Sequence, residues 1–169
     1  MKQQRGFTLI ELMVVLLIIG VILSAGMLSL NNSDSAQTRE QAVKIESLFK
    51  QAQDQATWRQ RAFLVAVDDK GLQAYQWLQG VWQASEQLQS LPWPEHLDVE
   101  WQLPLNQPQM LLNVGESKQV ALSGWLLLPN GEVQLGQISW QAKNSGYDAP
   151  ITVLQWNQWL DFELLTDID

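Results

Sequence analysis

Residues 5–33 read RGFTLIELMVVLLIIGVILSAGMLSLNNS, and residues 12–33 form a run of 22 residues without an ionisable side chain. Most residues of this run are Leu, Ile, Val or Met. At about 1.5 Å per helical residue the run extends about 33 Å, close to the ~30 Å thickness of the hydrocarbon part of a bilayer. The sequence therefore predicts a helix long enough to span a membrane.

Charges on either side of this run predict its orientation. Lys2 and Arg5 precede it, and Asp34 and Glu40 follow it. Because basic residues stay on the cytoplasmic side, we expect the N-terminus in the cytoplasm and the rest of the chain across the membrane. The small residues 24–26 leave a cleaved signal peptide as an alternative, but signal peptides have shorter apolar cores, so the length favours a retained anchor.

One acidic residue interrupts the apolar N-terminal region. Glu11 follows Leu9 and Ile10 and directly precedes the long run. A carboxylate moved toward the bilayer centre costs on the order of 2–3 kcal/mol, so an unpaired one is disfavoured. Glu11 is therefore expected either to pair with a cation or to reach back to the lipid headgroups, and both interpretations stay open on this residue alone.

Residues 5–15, RGFTLIELMVV, resemble the processing site of type IV prepilins and type II secretion pseudopilins. In that family a short basic leader ends in Gly, Phe follows the cut, and Glu is the fifth residue beyond it. The resemblance implies that a prepilin peptidase cuts between Gly6 and Phe7 and that the new amino group of Phe7 is methylated. It also implies that Glu11 pairs with the N-terminal amine of a neighbouring subunit during assembly, which would neutralise the carboxylate.

The resemblance and the apolar run divide the chain into three expected parts. Residues 1–6 are a leader peptide that is cleaved, 7–33 a transmembrane and assembly helix, and 34–169 a periplasmic globular head. Residues 31–33 are weak helix formers and 34–37 have the spacing of a capping box, so we expect a bend there and a second helical stretch. Its apolar positions recur at steps of three or four: Ala42, Ile45, Leu48, Phe49, Ala52 and Ala56.

Beyond residue 62 the apolar pattern becomes typical of strands. Short alternating runs are separated by turn residues, and residues 129–131, Pro-Asn-Gly, are expected to form a hairpin turn. The predicted fold is α+β and pilin-like, with a long N-terminal helix, half transmembrane and half amphipathic, packed on an antiparallel β-sheet head. The predicted strands are 63–67, 72–78, 97–103, 110–114, 119–128, 132–140, 151–156 and 159–164.

Composition excludes several classes of function. The chain has 10 Lys plus Arg against 18 Asp plus Glu, a formal charge of -8 and a pI of about 4.5, so nucleic acid is not an expected partner. Without Cys and with one His, thiolate or multi-histidine metal sites and a cysteine nucleophile are excluded. We predict no catalytic residue, metal or cofactor, and interpret Asp68 and Asp69 as a turn and His96 as a loop residue.

Nine tryptophans are an unusual number for a chain of 169 residues. Tryptophan fills cores, anchors interfaces and stacks on sugars, and the core is the first interpretation. Burial is predicted for three within alternating strands, Trp101, Trp140 and Trp156. Contact with a partner is a stronger alternative for three near turns, Trp77, Trp82 and Trp93.

Residues 127–131, LLPNG, resemble the Phe-x-Pro-x-Gly signature of H-type minor pseudopilins, with Leu127 in place of the aromatic residue. The expected function is a structural subunit of the type II secretion pseudopilus, in the bacterial inner membrane, that assists export of folded proteins. Its implied partners are the major pseudopilin, the I, J and K minor types, the prepilin peptidase and the inner-membrane assembly platform. Two alternatives are a minor pilin of a type IV pilus and a membrane-anchored carbohydrate-binding module that uses exposed Trp.

Overall fold

A computed structural model describes residues 9–104, 110–114, 118–143 and 150–166. Within these ranges, the side chains at 22–37, 113–114 and 118 lie outside the description. The chain divides into two compact units, Met1–Glu40 and Gln41–Asp169. The described part of the first unit is helical, and the second unit contains the C-terminal part of the same helix and every described strand.

Helix α1, Leu9–Arg59, is continuous over 51 residues. The predicted long N-terminal helix is therefore confirmed, and the predicted second helix start at residue 34 is wrong, whereas the bend at 31–33 stays a prediction. Weak helix formers cost only a few tenths of a kcal/mol each, about 0.7 at most, whereas ending and restarting a helix leaves orphan backbone groups and repeats the cost of nucleation. The amphipathic pattern is confirmed, because all six predicted apolar positions between Ala42 and Ala56 are buried.

The described residues of the second unit form three antiparallel sheets. Sheet A has the order β3-β2-β1-β8, with β4 also paired to β2; sheet B has the order β11-β10-β9-β5; sheet C is the pair β6-β7. The strands are β1 Phe63–Asp68, β2 Gly71–Leu78, β3 Val81–Ala84, β4 Leu91–Pro92, β5 Leu97–Gln102, β6 Met110–Val114, β7 Lys118–Leu122, β8 Gly124–Leu127, β9 Gly136–Ala142, β10 Thr152–Trp156 and β11 Phe162–Thr166. The α+β prediction is confirmed.

The main core lies where α1 meets sheets A and B. Phe49 on the helix contacts Trp125 of sheet A, with ring centroids 5.7 Å apart, and Trp156 of sheet B at 4.6 Å. The two tryptophan rings meet edge to face at 5.1 Å. Such aromatic contacts add about 0.5–1.5 kcal/mol each to the area that the rings bury. These three side chains therefore join the three layers of the head.

Strand β1 is buried on both of its faces, because a second cluster covers the side of sheet A that faces away from the main core. Leu64 and Ala66 of β1 pack there with Trp82 of β3 and Met110 of β6. Alternate residues of a strand point to opposite faces, so Phe63 and Val65 belong to the main core. A strand covered on both faces needs a continuous apolar sequence, as residues 63–67 of β1 have.

The predicted strands are recovered in part. Strands β1, β2, β5, β6 and β10 lie within one residue of their predicted positions. The predicted strand 119–128 is wrong as a single element, because it is split into β7 and β8, which belong to different sheets. Strands β3 and β4 were not predicted, and Pro92 lies in β4, where it pairs with Gly71 at one end of β2.

The turn at Pro129, Asn130 and Gly131 forms as predicted, and the strand predicted after it, 132–140, begins later, at Gly136. The backbone N–H of Gly131 donates to the carbonyl of Leu128 at 3.0 Å, and Leu127 pairs with Val133 in an isolated bridge. The predicted strand 132–140 then leaves sheet A, and Gly136–Ala142 pairs with β10 and β5 in sheet B. This segment therefore carries the chain from one sheet to the other.

Replacement of Gly124 by Ala is expected to lower the free energy of unfolding by about 1–3 kcal/mol, the usual cost of overpacking. A methyl group at Gly124 would overlap the carbonyl oxygen of Val65 and lie 2.6 Å from the Cα of Ala66. Urea denaturation of the full chain, followed by Trp fluorescence, measures the change. The exposed neighbour Ser123 supplies the control, Ser123→Ala. An unchanged midpoint for Gly124→Ala would contradict this account of the β1–β8 pairing.

Candidate functional site

The first candidate site is the N-terminal part of α1, residues 9–21, which we call the apolar segment. Its eleven large apolar side chains are between 46% and 77% exposed. Successive residues of an α-helix are rotated by about 100°, so these side chains cover every side of the segment. A helix that is apolar all round is stable in lipid or among other proteins and not in water. The apolar segment therefore requires an apolar surrounding.

Glu11 lies in the first turn of α1 and is exposed. It is the one ionisable residue of the apolar segment. The other predicted processing residues, Gly6 and Phe7, lie outside the described residues, so cleavage between them and methylation of Phe7 stay predictions. The role of Glu11 in assembly also stays a prediction.

Over the described residues, no helical stretch combines the length and the apolar character that crossing a membrane requires. The predicted transmembrane and assembly helix, 7–33, includes residues that lie outside the description.

The tryptophans of the head differ widely in exposure. Trp140 and Trp156 are buried as predicted, and Trp101 is half-buried against the core. Of the three near turns, Trp82 is buried, Trp93 is half-buried and donates its indole N–H to the Asp68 carbonyl at 2.9 Å, and Trp77 is the most exposed. Contact with a partner is therefore not needed to account for Trp82 or Trp93.

Two other tryptophans are the most exposed of the head, and sequence reasoning did not identify them. Trp58 on α1 is 90% exposed and Trp159 is 55% exposed. Each had a signal in the sequence. Trp58 lies off the apolar stripe that ends at Ala56, and Trp159 follows Asn157 and Gln158 in a polar interval between two strands. Single exposed apolar side chains are common at protein surfaces, so exposure alone assigns a function to neither tryptophan.

Asn157 organises the turn that carries Trp159. Its Oδ1 accepts from the backbone N–H of Trp159 at 2.8 Å and of Asp161 at 3.1 Å, and its Nδ2 donates to the Asp161 carboxylate at 2.9 Å. Leu160 has a φ of 58° in the left-handed region and a buried side chain. A non-glycine residue there costs on the order of 1–3 kcal/mol, and strained residues of this kind cluster at functional sites. The turn thus holds Leu160 in the core and Trp159 at the surface.

Asp68 has a structural role in the turn between β1 and β2. Asp68 Oδ1 accepts from the backbone N–H of Lys70 at 2.8 Å and of Gly71 at 3.1 Å, so the predicted turn at Asp68 and Asp69 is confirmed. His96 is exposed in a turn, as predicted. Among the described residues, no group of three or more His, Asp or Glu side chains is arranged to hold a metal ion.

Comparisons with known proteins place these features in a family. Residues 1–27 match the model of the prokaryotic N-terminal methylation motif. Type II secretion system protein H of Escherichia coli (strain K12) is 30% identical over 128 residues, which cover 66% of this chain and 75% of that protein.

Solved structures support the same fold. Two structures of the minor pseudopilin EpsH from the type 2 secretion system of Vibrio cholerae have TM-scores of 0.55 and 0.54. Their identities are 17% and 16%, and the likeness covers 76% of this chain and 96% and 92% of theirs. The fold is thus pilin-like.

Because protein H is 30% identical over three quarters of its own length, the chain belongs to the family of type II secretion minor pseudopilins of the H type.

Proposed function

We propose that this minor pseudopilin is a structural subunit of the type II secretion pseudopilus and assists export of folded proteins across the outer membrane. The observation that carries the proposal is the apolar segment, exposed on every side and containing the single carboxylate of Glu11. Apolar area removed from water contributes about 25 cal/mol per Å², so burial of this segment drives its association. Before assembly the bilayer supplies the apolar surrounding, and in the filament the helices of neighbouring subunits supply it.

The carboxylate of Glu11 gives this association its register. A buried charge is tolerated only when it is paired and hydrogen-bonded. Cleavage between Gly6 and Phe7 would create a free amine four residues before Glu11. Pairing of that amine, on one subunit, with Glu11 of the next would satisfy both charges and fix the axial position of the two helices.

The same proposal assigns the rest of the chain. Residues 1–6 are the cleaved leader, 7–33 the single membrane anchor and assembly helix, and 34–169 the periplasmic head, with the N-terminus in the cytoplasm. The partners are the prepilin peptidase, the inner-membrane assembly platform, the major pseudopilin and the I, J and K minor types. The head contacts other minor subunits and has no catalytic role. A cytoplasmic ATPase supplies the energy for assembly.

The alternative of a type IV minor pilin is not favoured, because the relative that shows the family is a type II secretion protein. Charge also argues against a pilin that captures DNA. From residue 34 onward the sequence has 8 basic and 17 acidic residues, a balance of -9. A surface of that sign repels phosphate backbones.

Replacement of Glu11 by Ala is expected to leave the protein inserted in the membrane but to impair assembly, because no carboxylate is left to pair with the neighbouring amine. Glu11→Gln tests charge separately from size and is expected to be impaired as well. Site-specific crosslinking between subunits and the amount of exported protein are the measurements.

The matched control is Glu46→Ala on the same helix. Glu46 pairs with Lys50 at 3.3 Å on an exposed face, and such pairs contribute about 0–1 kcal/mol. Normal crosslinking is therefore expected for Glu46→Ala. If both Glu11 variants also crosslinked normally and supported normal export, the proposed pairing would be refuted.

Leader processing is testable by mass spectrometry of the protein isolated from the membrane. The mature chain is expected to begin at Phe7 and to carry one additional methyl group. Gly6→Val is expected to retain residues 1–6, since it removes the Gly that precedes the cut in the prepilin processing site. Gln4→Val, which introduces the same residue elsewhere within the leader, is the control and should be processed. An initiator methionine on the assembled wild-type protein would exclude the cleavage.

A further inference from the structure

A groove of about 680 Å³ lies on the outer side of sheet B, within the second unit. Its floor comes from four strands of the sheet, and its sides include Leu135, Leu103 and the turn that carries Trp159. Leu135 is 66% exposed. The volume is in the range of small-ligand sites, about 300–1,000 Å³.

The floor of the groove is a row of polar side chains in register across sheet B. Gln102 of β5 pairs with Gln137 of β9, Gln137 with Gln155 of β10, and Gln155 with Glu163 of β11. All four residues line the groove. Adjacent strands lie about 4.8 Å apart, so the row presents one polar group at each interval over about 14 Å. We call these four residues the polar row.

The alternation of side chains along each strand determines which face of sheet B carries the polar row. The neighbours of Gln155, Leu154 and Trp156, belong to the main core, and so does Ile138 next to Gln137. The polar row therefore faces away from the core. Gln155 Nε2 donates to Glu163 Oε2 at 2.7 Å, so this part of the row is held in place before any ligand arrives.

The side of the groove at Trp159 is also held in place. The Asn157 hydrogen bonds and the buried Leu160 fix the turn, and the backbone N–H of Val133 donates to the carbonyl of Gln158 at 2.9 Å. An indole ring that is already ordered loses little entropy when a ligand stacks on it. Trp159 thus supplies a flat apolar surface beside the polar row.

The charged residues that line the groove limit the class of ligand that it can bind. Asp161 and Glu163 line the groove, and none of the described residues that line it is basic. An anionic polymer would be repelled, and it would find no cation to pair with. The remaining polar groups are mainly amides, which donate and accept hydrogen bonds as hydroxyl groups do.

We propose that this groove binds a neutral oligosaccharide that lies across the strands of sheet B, with one sugar ring on Trp159 and hydroxyl groups on the polar row. The C–H face of a pyranose ring stacks on the negative face of an indole. Successive rings of a β-linked chain repeat at a distance similar to the spacing of the strands, so each amide meets a new ring. This activity goes beyond filament assembly and would give the periplasmic head contact with glycan.

A protein partner fits the groove less well. The cores of protein interfaces are depleted in Glu and Asp and enriched in apolar, aromatic and Arg residues. The floor here is three glutamines and a glutamate in a straight row. We therefore treat a protein ligand as an outcome of the test.

The test is calorimetric titration of the full-length processed protein in lipid nanodiscs without glycolipid, because many detergents carry sugar headgroups. The probes are cellohexaose and chitohexaose, with an oligogalacturonate as the anionic comparison. Saturable binding of at least one neutral hexamer is expected, with little dependence on salt, and no binding of the oligogalacturonate.

Two variants locate the binding. Trp159→Ala is expected to weaken it by about tenfold or more, the order that one aromatic stacking contact supplies. Gln137→Ala, in the middle of the polar row, should weaken it as well. Trp58→Ala is the control, since Trp58 is 90% exposed and lies outside the groove, and it should bind as wild type. Circular dichroism verifies that all three variants are folded.

Three results would overturn the proposal. The first is no binding of either neutral hexamer, and the second is equal binding by wild type and Trp159→Ala. The third is that wild type crosslinks to another secretion protein, that Trp159→Ala does not, and that neither of them binds sugar. That result would assign the groove to a protein partner. None of them bears on Glu11, so pseudopilus assembly is tested separately.

Discussion

The contact among Phe49, Trp125 and Trp156 is the constraint on which the head depends. One aromatic ring from α1 and one from each of sheets A and B meet within 5.7 Å of one another. The position opposite them must be glycine, because a methyl group at Gly136 would overlap the indole nitrogen of Trp125 and lie 2.6 Å from Trp156. The chain can therefore enter β9 only where no side chain intervenes. Gln137, in the floor of the groove, is the next residue along β9.

Helix α1 serves two environments with one backbone conformation. Between residues 9 and 21 its apolar side chains lie on every side, whereas between 41 and 59 the buried residues recur at steps of three or four and exposed ones separate them. Hydrogen bonding within the helix satisfies the backbone in both cases, so the sequence pattern alone selects what surrounds each part. This is why a single element can take part both in the core of the head and in the proposed assembly of the filament.

The parts of the structure that depend on near neighbours were predictable. The stripe from Ala42 to Ala56, the β1–β2 turn at Asp68 and the alternation of Trp140 and Trp156 all follow from short-range periodicity. Sheet membership was not predictable, because the split at Gly124 reflects a close approach to Val65, almost 60 positions earlier. The polar row was missed for the same reason, since Gln102 and Gln155 are brought together only by β9. Gly6, Phe7 and Glu11 rest on a contiguous motif, and their roles follow from the resemblance.

Strand β11 is an edge strand of sheet B, and among the described strands it pairs only with β10. Of its five residues only Phe162 packs against the main core and the other four are exposed, so detachment of β11 uncovers less of the core than detachment of β9 or β10 would. Local opening is easiest where burial is least, and the amide hydrogens of β11 should exchange with solvent before those of β9 and β10. Glu163 belongs to this margin and is the hydrogen-bond acceptor of Gln155. The head is thus most stable locally at its aromatic core and least stable at the edge strand β11. A molecule bound beside Glu163 would therefore also slow the local opening of β11.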